Sequence, residues 1–339
     1  NTMNNALSIV MYHYVRPIAG SRYPHLCGLE LSSFEGQLDY LLKHYNPVSA
    51  ADVVRAHRGE FALPENPVLV TFDDGYTDHY NFVMPSLLRR GMTGVFFPPS
   101  CSVEERIILD VHKIHFIVAS VEDSKILVKS IDEAIEDARN EFDLELLAEY
   151  RSKFLLPNRF DTAEMNYVKP VLQIGLPEAL RGRIASQFFH KYVSKDESSF
   201  ADELYVSTTD LGHMLEKGME IGSHGHAHNW LNSLSIESQA QDIDRSLEML
   251  TKIGVSKENF YFCYPYGGYN EDTLDILSSR GCAAAFTTRV GLAHPYMDNN
   301  LLELPRLDTN DLPRSVDAEK SQWTHAVKHS SRLLMNNKI

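Results

Sequence analysis

Short apolar runs that end on polar, chemistry-bearing residues recur along this chain, and they leave few folds open to it. Leu7 to His13, Val68 to Phe72, Gly94 to Phe97, Met219 to Ser223, Phe260 to Tyr264 and Ala283 to Thr287 read as strands, with Leu301 to Leu307 as a last one. Helical patterns lie between them. Ser32-Ser33-Phe34-Glu35 reads as a capping box opening a helix with Phe34, Leu38, Leu41 and Leu42 on one face. Asp78 to Arg90 predicts a second helix ended by Gly91, and Leu211 to Lys217 a third. Ile236, Ala240, Ile243, Leu247 and Leu250 mark a fourth closed by Gly254, and Asn270 caps a fifth. Strand and helix in alternation predict βαβ units and a parallel sheet.

The texture changes between 101 and 204. Only two of the chain's 18 glycines, Gly175 and Gly182, fall there, and acidic helical stretches such as Ser130 to Arg139 replace the β-branched runs. This block reads as a mostly helical insertion whose charges face water. The expected organisation is a discontinuous α/β domain over 1–100 and 205–314, the insertion over 101–204, and a helical tail over 315–339.

A chain of 339 residues with 43% hydrophobic content can bury a substantial core. Its formal net charge of −14 argues against nucleic acid and anionic membrane as partners, because no basic field gathers phosphates. There is no apolar stretch long enough for a transmembrane helix. Asn1 to Asn5 is polar and unlike a secretory leader, so the chain reads as cytoplasmic or as the remainder after a leader is removed. Cys27, Cys101, Cys263 and Cys282 are scattered, with no C-x-x-C pair, and read as isolated thiols of a reducing compartment.

Two segments carry the chemistry. Thr71-Phe72-Asp73-Asp74-Gly75 places adjacent carboxylates at a strand end, and Ser223-His224-Gly225-His226-Ala227-His228 places three imidazoles within five residues. Together they hold the ligands of a three-residue divalent-metal site and a spare carboxylate, a combination suited to metal-assisted hydrolysis. Adjacent aspartates on extended backbone point in opposite directions, so one can bind metal while the other faces water. His224 and His228 are four apart, which one helical turn brings onto one face. An alternating His224-His226 pair on a strand is the competing arrangement. In parallel α/β folds such groups meet at the carboxyl ends of the strands, where His13 and Pro265-Tyr266-Gly267 also lie. The aromatic residues beside these motifs, Tyr14, Tyr76, Trp230 and Tyr266, suit either packing beneath the rim or stacking on the rings of a ligand.

These motifs resemble those of the polysaccharide deacetylases, carbohydrate esterase family four. Thr71 to Gly75 resembles that family's first motif, Ser223 to His228 its second, and Tyr264-Pro265-Tyr266-Gly267 its third. The resemblance implies an irregular (β/α) barrel. It implies that Asp74, His224 and His228 hold a divalent metal, zinc by the same resemblance, with Asp73 as general base and the backbone N–H of Tyr266 facing the oxyanion. The family's late motif supplies a histidine as general acid, and no good match stands near the C-terminus. Val10-Met11-Tyr12-His13 is similar to that last strand moved to the front, as in circularly permuted members, which nominates His13. The arginine usual in the third motif is replaced by Cys263, and Arg306 is the nominated substitute.

The implied function is a metal-dependent hydrolase that removes N-acetyl groups from an acetamido sugar of a surface polysaccharide or its precursor. The alternatives are a hydrolase of another non-peptide C–N bond with the same site, and a carbohydrate-binding pseudoenzyme.

Overall fold

A computed structural model describes residues 6–159 and 161–327. Contacts divide the chain into two compact units. One comprises the chain up to Pro17, Gly28–Ile107 and Asp202 onward; the other comprises Ile18–Cys27 and Ile108–Ala201.

The first unit is built on parallel strands: β1 (Ser8–Tyr12), β2 (Val15–Arg16), β3 (Leu29–Glu30), β4 (Asn46–Pro47), β5 (Pro67–Asp73), β6 (Val95–Phe97), β7 (Glu220–Ile221), β8 (Tyr261–Cys263), β9 (Ala284–Phe286) and β10 (Leu307–Asp308). The main sheet runs β10-β1-β5-β6-β7, with β4 also on β5, and β8 pairs β9; every ladder is parallel. Isolated parallel bridges, Ser223 to Phe262 and Phe286 to Leu304, carry the ladder from β7 to β8 and from β9 toward β10. The strands therefore follow one another around a ring. β5 is buried at all seven positions, as a central parallel strand covered on both faces must be.

Two apolar clusters fill this unit. One gathers Val10, Tyr12, Phe34, Val70, Phe72, Phe96, Ile243 and Phe262; the other gathers Ile9, Val53, Leu69, Val95, Phe97 and Phe286. Alternate residues of β1, β5 and β6 enter opposite clusters, the period-two pattern of strands packed on two sides.

Three sequence expectations change in detail. The first long helix starts at Leu31, one residue before Ser32, with Glu30 as an N-cap that makes no side-chain bond. Pairing of β3 with β2 delivers the chain straight into the helix, so the Ser32 capping box does not form. Asp78 to Arg90 is not one α-helix: a π-helical turn, His79–Val83, precedes the α segment Met84–Arg89, which carries a proline in its first two positions. The last strand is only Leu307–Asp308, because Pro305 has no N–H to give a ladder. The Asn270 cap forms, with a reciprocal bond to Thr273.

The second unit is helical, with segments at Asp110–Ser120, Ser124–Ala138, Leu147–Phe154, Ala163–Pro170 and Glu178–Tyr192. Leu127, Ile131, Ile135, Leu180 and Ile184 are buried within it. Tyr23, from the distant Ile18–Cys27 segment, packs edge-on against Phe116 and Phe200, which explains why that segment belongs to this unit. Buried Asp132 accepts from the Tyr167 hydroxyl at 2.6 Å and pairs with Arg151. His112 is buried on Asp110–Ser120 and His115 is half-buried, their rings 5.9 Å apart.

Of the expected helical tail over 315–339, residues 315–321 form turns, bends and irregular chain, residues 322–327 are helical, and 328–339 lie outside the described residues. Among the described residues no helix is long and apolar enough to cross a membrane. The four cysteines are free thiols.

Gly36 gives a direct test of the packing. A Cβ there would lie 2.2 Å from the Arg314 carbonyl oxygen. Glycine to alanine inside a helix ordinarily stabilises by about 1 kcal/mol. Gly36→Ala is expected to destabilise instead, by about 1–3 kcal/mol through overpacking. Thermal unfolding of the two proteins decides it; a raised melting temperature contradicts the packing described.

Candidate active site

Because all ring strands are parallel, their carboxyl ends share one rim. The register sets Tyr12 beside Phe72, so His13 and Asp73 follow each other out of neighbouring strands. Asp73 in turn pairs with Phe97 of β6, and the chain beyond β7 passes through the Ser223–Phe262 bridge into the histidines.

Asp73 closes β5 in extended backbone, whereas Asp74 has φ 80° and Gly75 φ 68°. The expectation of two extended aspartates is corrected here. The chain turns at Asp74 itself, and that left-handed residue swings its carboxylate away from that of Asp73. Gly75 tolerates the turn and leaves room for Pro98, whose Cβ would be 2.7 Å from a Cβ at this position. The Asp74 N–H donates to the Phe97 carbonyl, and Val206 N–H donates to that of Gly75, which fixes the turn on both sides.

The histidine segment is not a helical turn. Residues 224–230 form a loop in which Gly225 (φ 71°) and His228 (φ 55°) are both left-handed. These reversals, rather than helical periodicity, bring His224 and His228 together, with ring centroids 4.7 Å apart. His226 faces elsewhere. Its Nδ1 shares a hydrogen bond with Ser100 Oγ at 2.7 Å and its Nε2 lies 3.1 Å from Glu105. The competing His224-His226 pairing is therefore not the one formed. His226 acts as a peg for the loop, whose carbonyls at Gly225 and His226 accept from the N–H groups of Ser100 and Cys101. Asp242, which the sequence reading missed, accepts the N–H groups of His226 and Ala227, each at 3.0 Å. Its helical register points at the loop, but nothing in the local sequence distinguishes it from a solvated helix carboxylate.

Asp74, His224 and His228 converge. Asp74 Oδ1 lies 3.2 Å from His224 Nε2 and 3.3 Å from His228 Nε2, and all three side chains are buried. The His224 Nδ1–H donates to the Cys263 carbonyl at 2.8 Å, which leaves the Nε2 lone pair toward the shared point. The second Asp74 oxygen accepts from the Tyr76 hydroxyl at 2.9 Å. Burial alone would lower the His224 pKa, but Cys263 and the two aspartates override it and hold it well above the ordinary value. The setting thus favours positive charge at that point, as a divalent cation supplies. A buried group of one carboxylate oxygen and two imidazole nitrogens fits such an ion.

A second trio, Asp73, His224 and Cys263, is also close enough to share an ion, but it fits less well. Both Asp73 oxygens are taken by Arg306, and burial pushes the Cys263 thiol up, away from the thiolate a metal requires. Arg306 Nη2 also stands 3.2 Å from the Cys263 sulfur, where it would repel a cation.

Arg306 is fully buried. It forks onto Asp73 with Nη1 to Oδ1 and Nη2 to Oδ2, both at 2.8 Å, and it also donates to Thr71 Oγ1 and the Thr287 carbonyl. Burial would raise the Asp73 pKa, but Arg306, helped by His13 and His224, brings it down to about 2. His13 Nε2 lies 3.7 Å from Asp73 Oδ2, and its side chain keeps 42% of its exposure, within reach of an incoming molecule.

The aromatic residues divide. Tyr14 and Tyr76 are buried and stacked on each other at 4.1 Å, as packing requires. Tyr266, left-handed at φ 57° and exposed, stacks on Trp230 at 3.7 Å and stands edge-on to His228 at 4.6 Å.

The family model for polysaccharide deacetylases matches residues 188–285. Over 85 residues the chain is 35% identical to the poly-beta-1,6-N-acetyl-D-glucosamine N-deacetylase of Escherichia coli (strain K12), a match spanning 25% of this chain and 12% of that protein. Solved structures share the fold. The Streptococcus pyogenes deacetylase PplD in complex with acetate aligns over 90% of this chain and 92% of its own, with TM-score 0.54 and 17% identity. IcaB from Ammonifex degensii aligns over 96% and 97%, with TM-score 0.54 and 18% identity. The de-N-acetylase from Aggregatibacter actinomycetemcomitans aligns over 96% and 100%, with TM-score 0.54 and 16% identity.

Two predictions come from this geometry. A Cβ on Gly225 would lie 2.6 Å from Asp242 Oδ2, at a backbone angle that side chains rarely adopt. Gly225→Ala should therefore weaken divalent-metal binding by about tenfold to a hundredfold, as loss of outer support to a metal ligand does. Calorimetric titration of the metal-free protein checks this, and unchanged affinity contradicts it. The second concerns His79, which is buried among Phe72, Tyr76 and Phe96, and whose pKa burial lowers to about 4. Between its ordinary value and about 4, the unfolded chain takes a proton that the fold refuses, so stability falls as pH drops through that window. Metal-free wild type should lose about 2 kcal/mol relative to His79→Gln between pH 7 and 5. Urea titrations at both pH values measure it; a constant difference sinks the assignment.

Proposed function

We propose, from the match to the polysaccharide deacetylase family over residues 188–285 and from the shared fold, that the chain removes N-acetyl groups from an acetamido sugar of a surface polysaccharide or its precursor. One observation carries the reading. A carboxylate held ionised by a buried bidentate arginine stands beside a second carboxylate that meets two imidazoles. A binding module has no use for the first group next to the second; a hydrolase uses both.

In this proposal Asp74, His224 and His228 hold the cation, and zinc suits their donors. The bound cation would polarise the acetyl carbonyl and lower the pKa of water to about 7. Asp73 accepts the water proton. A carboxylate with a pKa of about 2 is a weak base, so it suits only an acidified water. Arg306 orients both Asp73 oxygens and holds the carboxylate ionised until it takes that proton. His13 gives a proton to the departing amine; its 3.7 Å separation from Asp73 must tighten to hydrogen-bond reach for the proton taken from water to return to it. The Tyr266 N–H is assigned to the carbonyl oxygen as negative charge develops there. The ring of Tyr266, against His228, sets that part of the chain at the rim.

The relative's name supports a β-1,6-linked N-acetylglucosamine polymer as the first substrate to try. Permutation of the strand order is part of the same reading; β1 lying between β5 and β10 supports it.

Asp73→Asn tests the reading. It should retain one equivalent of zinc and lose about a hundredfold to ten-thousandfold in acetate release, the range for loss of a general base. Metal analysis and acetate assay on acetylated saccharides are the measurements. Full activity of the variant refutes the role of Asp73, and a wild type inert on every acetamido sugar favours the pseudoenzyme.

A further inference from the structure

The segment that bears His13 is gripped at four successive residues by the segment that follows the Asp73-Asp74-Gly75 turn. His79 Nε2–H donates to the His13 carbonyl at 2.8 Å. Tyr76 stacks on Tyr14. Asp78 Oδ2 accepts the Val15 N–H at 3.1 Å, and both its oxygens pair with the Arg16 guanidinium at 2.8 Å. Asp78 and His79 are themselves buried, at 3% and 1% exposure. His79 Nδ1 has no hydrogen-bond partner among the described residues, so the ring spends its one polar contact on the His13 backbone. A π-helical turn starts at His79, a feature often found where a helix is re-aimed for function.

We propose that Asp78 and His79 are positioning residues for proton donation: they tie the His13 backbone to the aspartate turn and so fix its imidazole beside Asp73. The inference rests on the reading of His13 as proton donor. In amide cleavage the C–N bond breaks, its electron pair passes to nitrogen, and that nitrogen takes the His13 proton. Departing 4-nitrophenolate needs no proton. A misplaced His13 therefore slows amide hydrolysis and spares 4-nitrophenyl acetate, whereas general damage to the site slows both.

The experiment compares zinc-loaded wild type, His13→Ala, His79→Leu, His79→Gln and Asp78→Asn. The two substrates are an N-acetylglucosamine oligomer of β-1,6 linkage and 4-nitrophenyl acetate. His79→Leu and Asp78→Asn should lose about tenfold or more in kcat on the amide, a typical penalty for misplacing an acid–base group. KM, zinc content and ester hydrolysis should hold, and His79→Gln, which keeps an N–H donor, should recover most of the amide rate. Parallel loss on both substrates, or a wild-type amide rate in His79→Leu, overturns the positioning role. If His79→Leu does not fold, Asp78→Asn and His79→Gln carry the same comparison. An amide rate unchanged in His13→Ala, or absent in wild type, refutes the underlying reading instead.

Discussion

The site depends on a fully buried ion pair. Arg306, entering β10, reaches across to Asp73 at the end of β5 and satisfies both carboxylate oxygens. Burying either charge alone is costly, and removing one partner from such a pair typically costs about 3–5 kcal/mol. The pair therefore couples two strands and holds the central carboxylate ionised at rest. With both Asp73 oxygens occupied, the neighbouring Asp74 is the carboxylate left to face the imidazoles. Cys263 fits this arrangement: its sulfur lies against Arg306 and Asp73, and its carbonyl orients His224.

Strained backbone places the remaining groups. Asp74, His228 and Tyr266 are all left-handed non-glycine residues, and all stand at the rim. Such conformations cost about 1–3 kcal/mol each and persist where the surroundings over-determine them. Those surroundings are visible here: Phe97 and Pro98 around the aspartate turn, Ser100 and Asp242 around the histidine loop, and Trp230 beside Tyr266.

Much of this was legible in the sequence because strand ends are legible. An apolar run stopping at Asp73-Asp74-Gly75, and another at Ser223-His224, predict both the parallel sheet and the convergence of their side chains. Arg306 could be nominated only as a replacement for an absent arginine, since nothing local marks a residue 233 positions from its partner. The means by which His224 and His228 meet differs from what their spacing predicts. Spacing of four suggests a helix, but Gly225 and Asp242 impose a loop that achieves the same proximity. Asp242, the π turn at His79–Val83 and the docking of Tyr23 on Phe116 are tertiary facts with weak local signatures.

X-ray absorption at the zinc edge of the zinc-loaded protein tests the central claim most directly. One equivalent of metal with a shell of nitrogen and oxygen only, including two imidazoles, is the predicted result. A sulfur scatterer at about 2.3 Å would place the ion with Cys263, and no stoichiometric metal would leave the site without its cation; either contradicts the account.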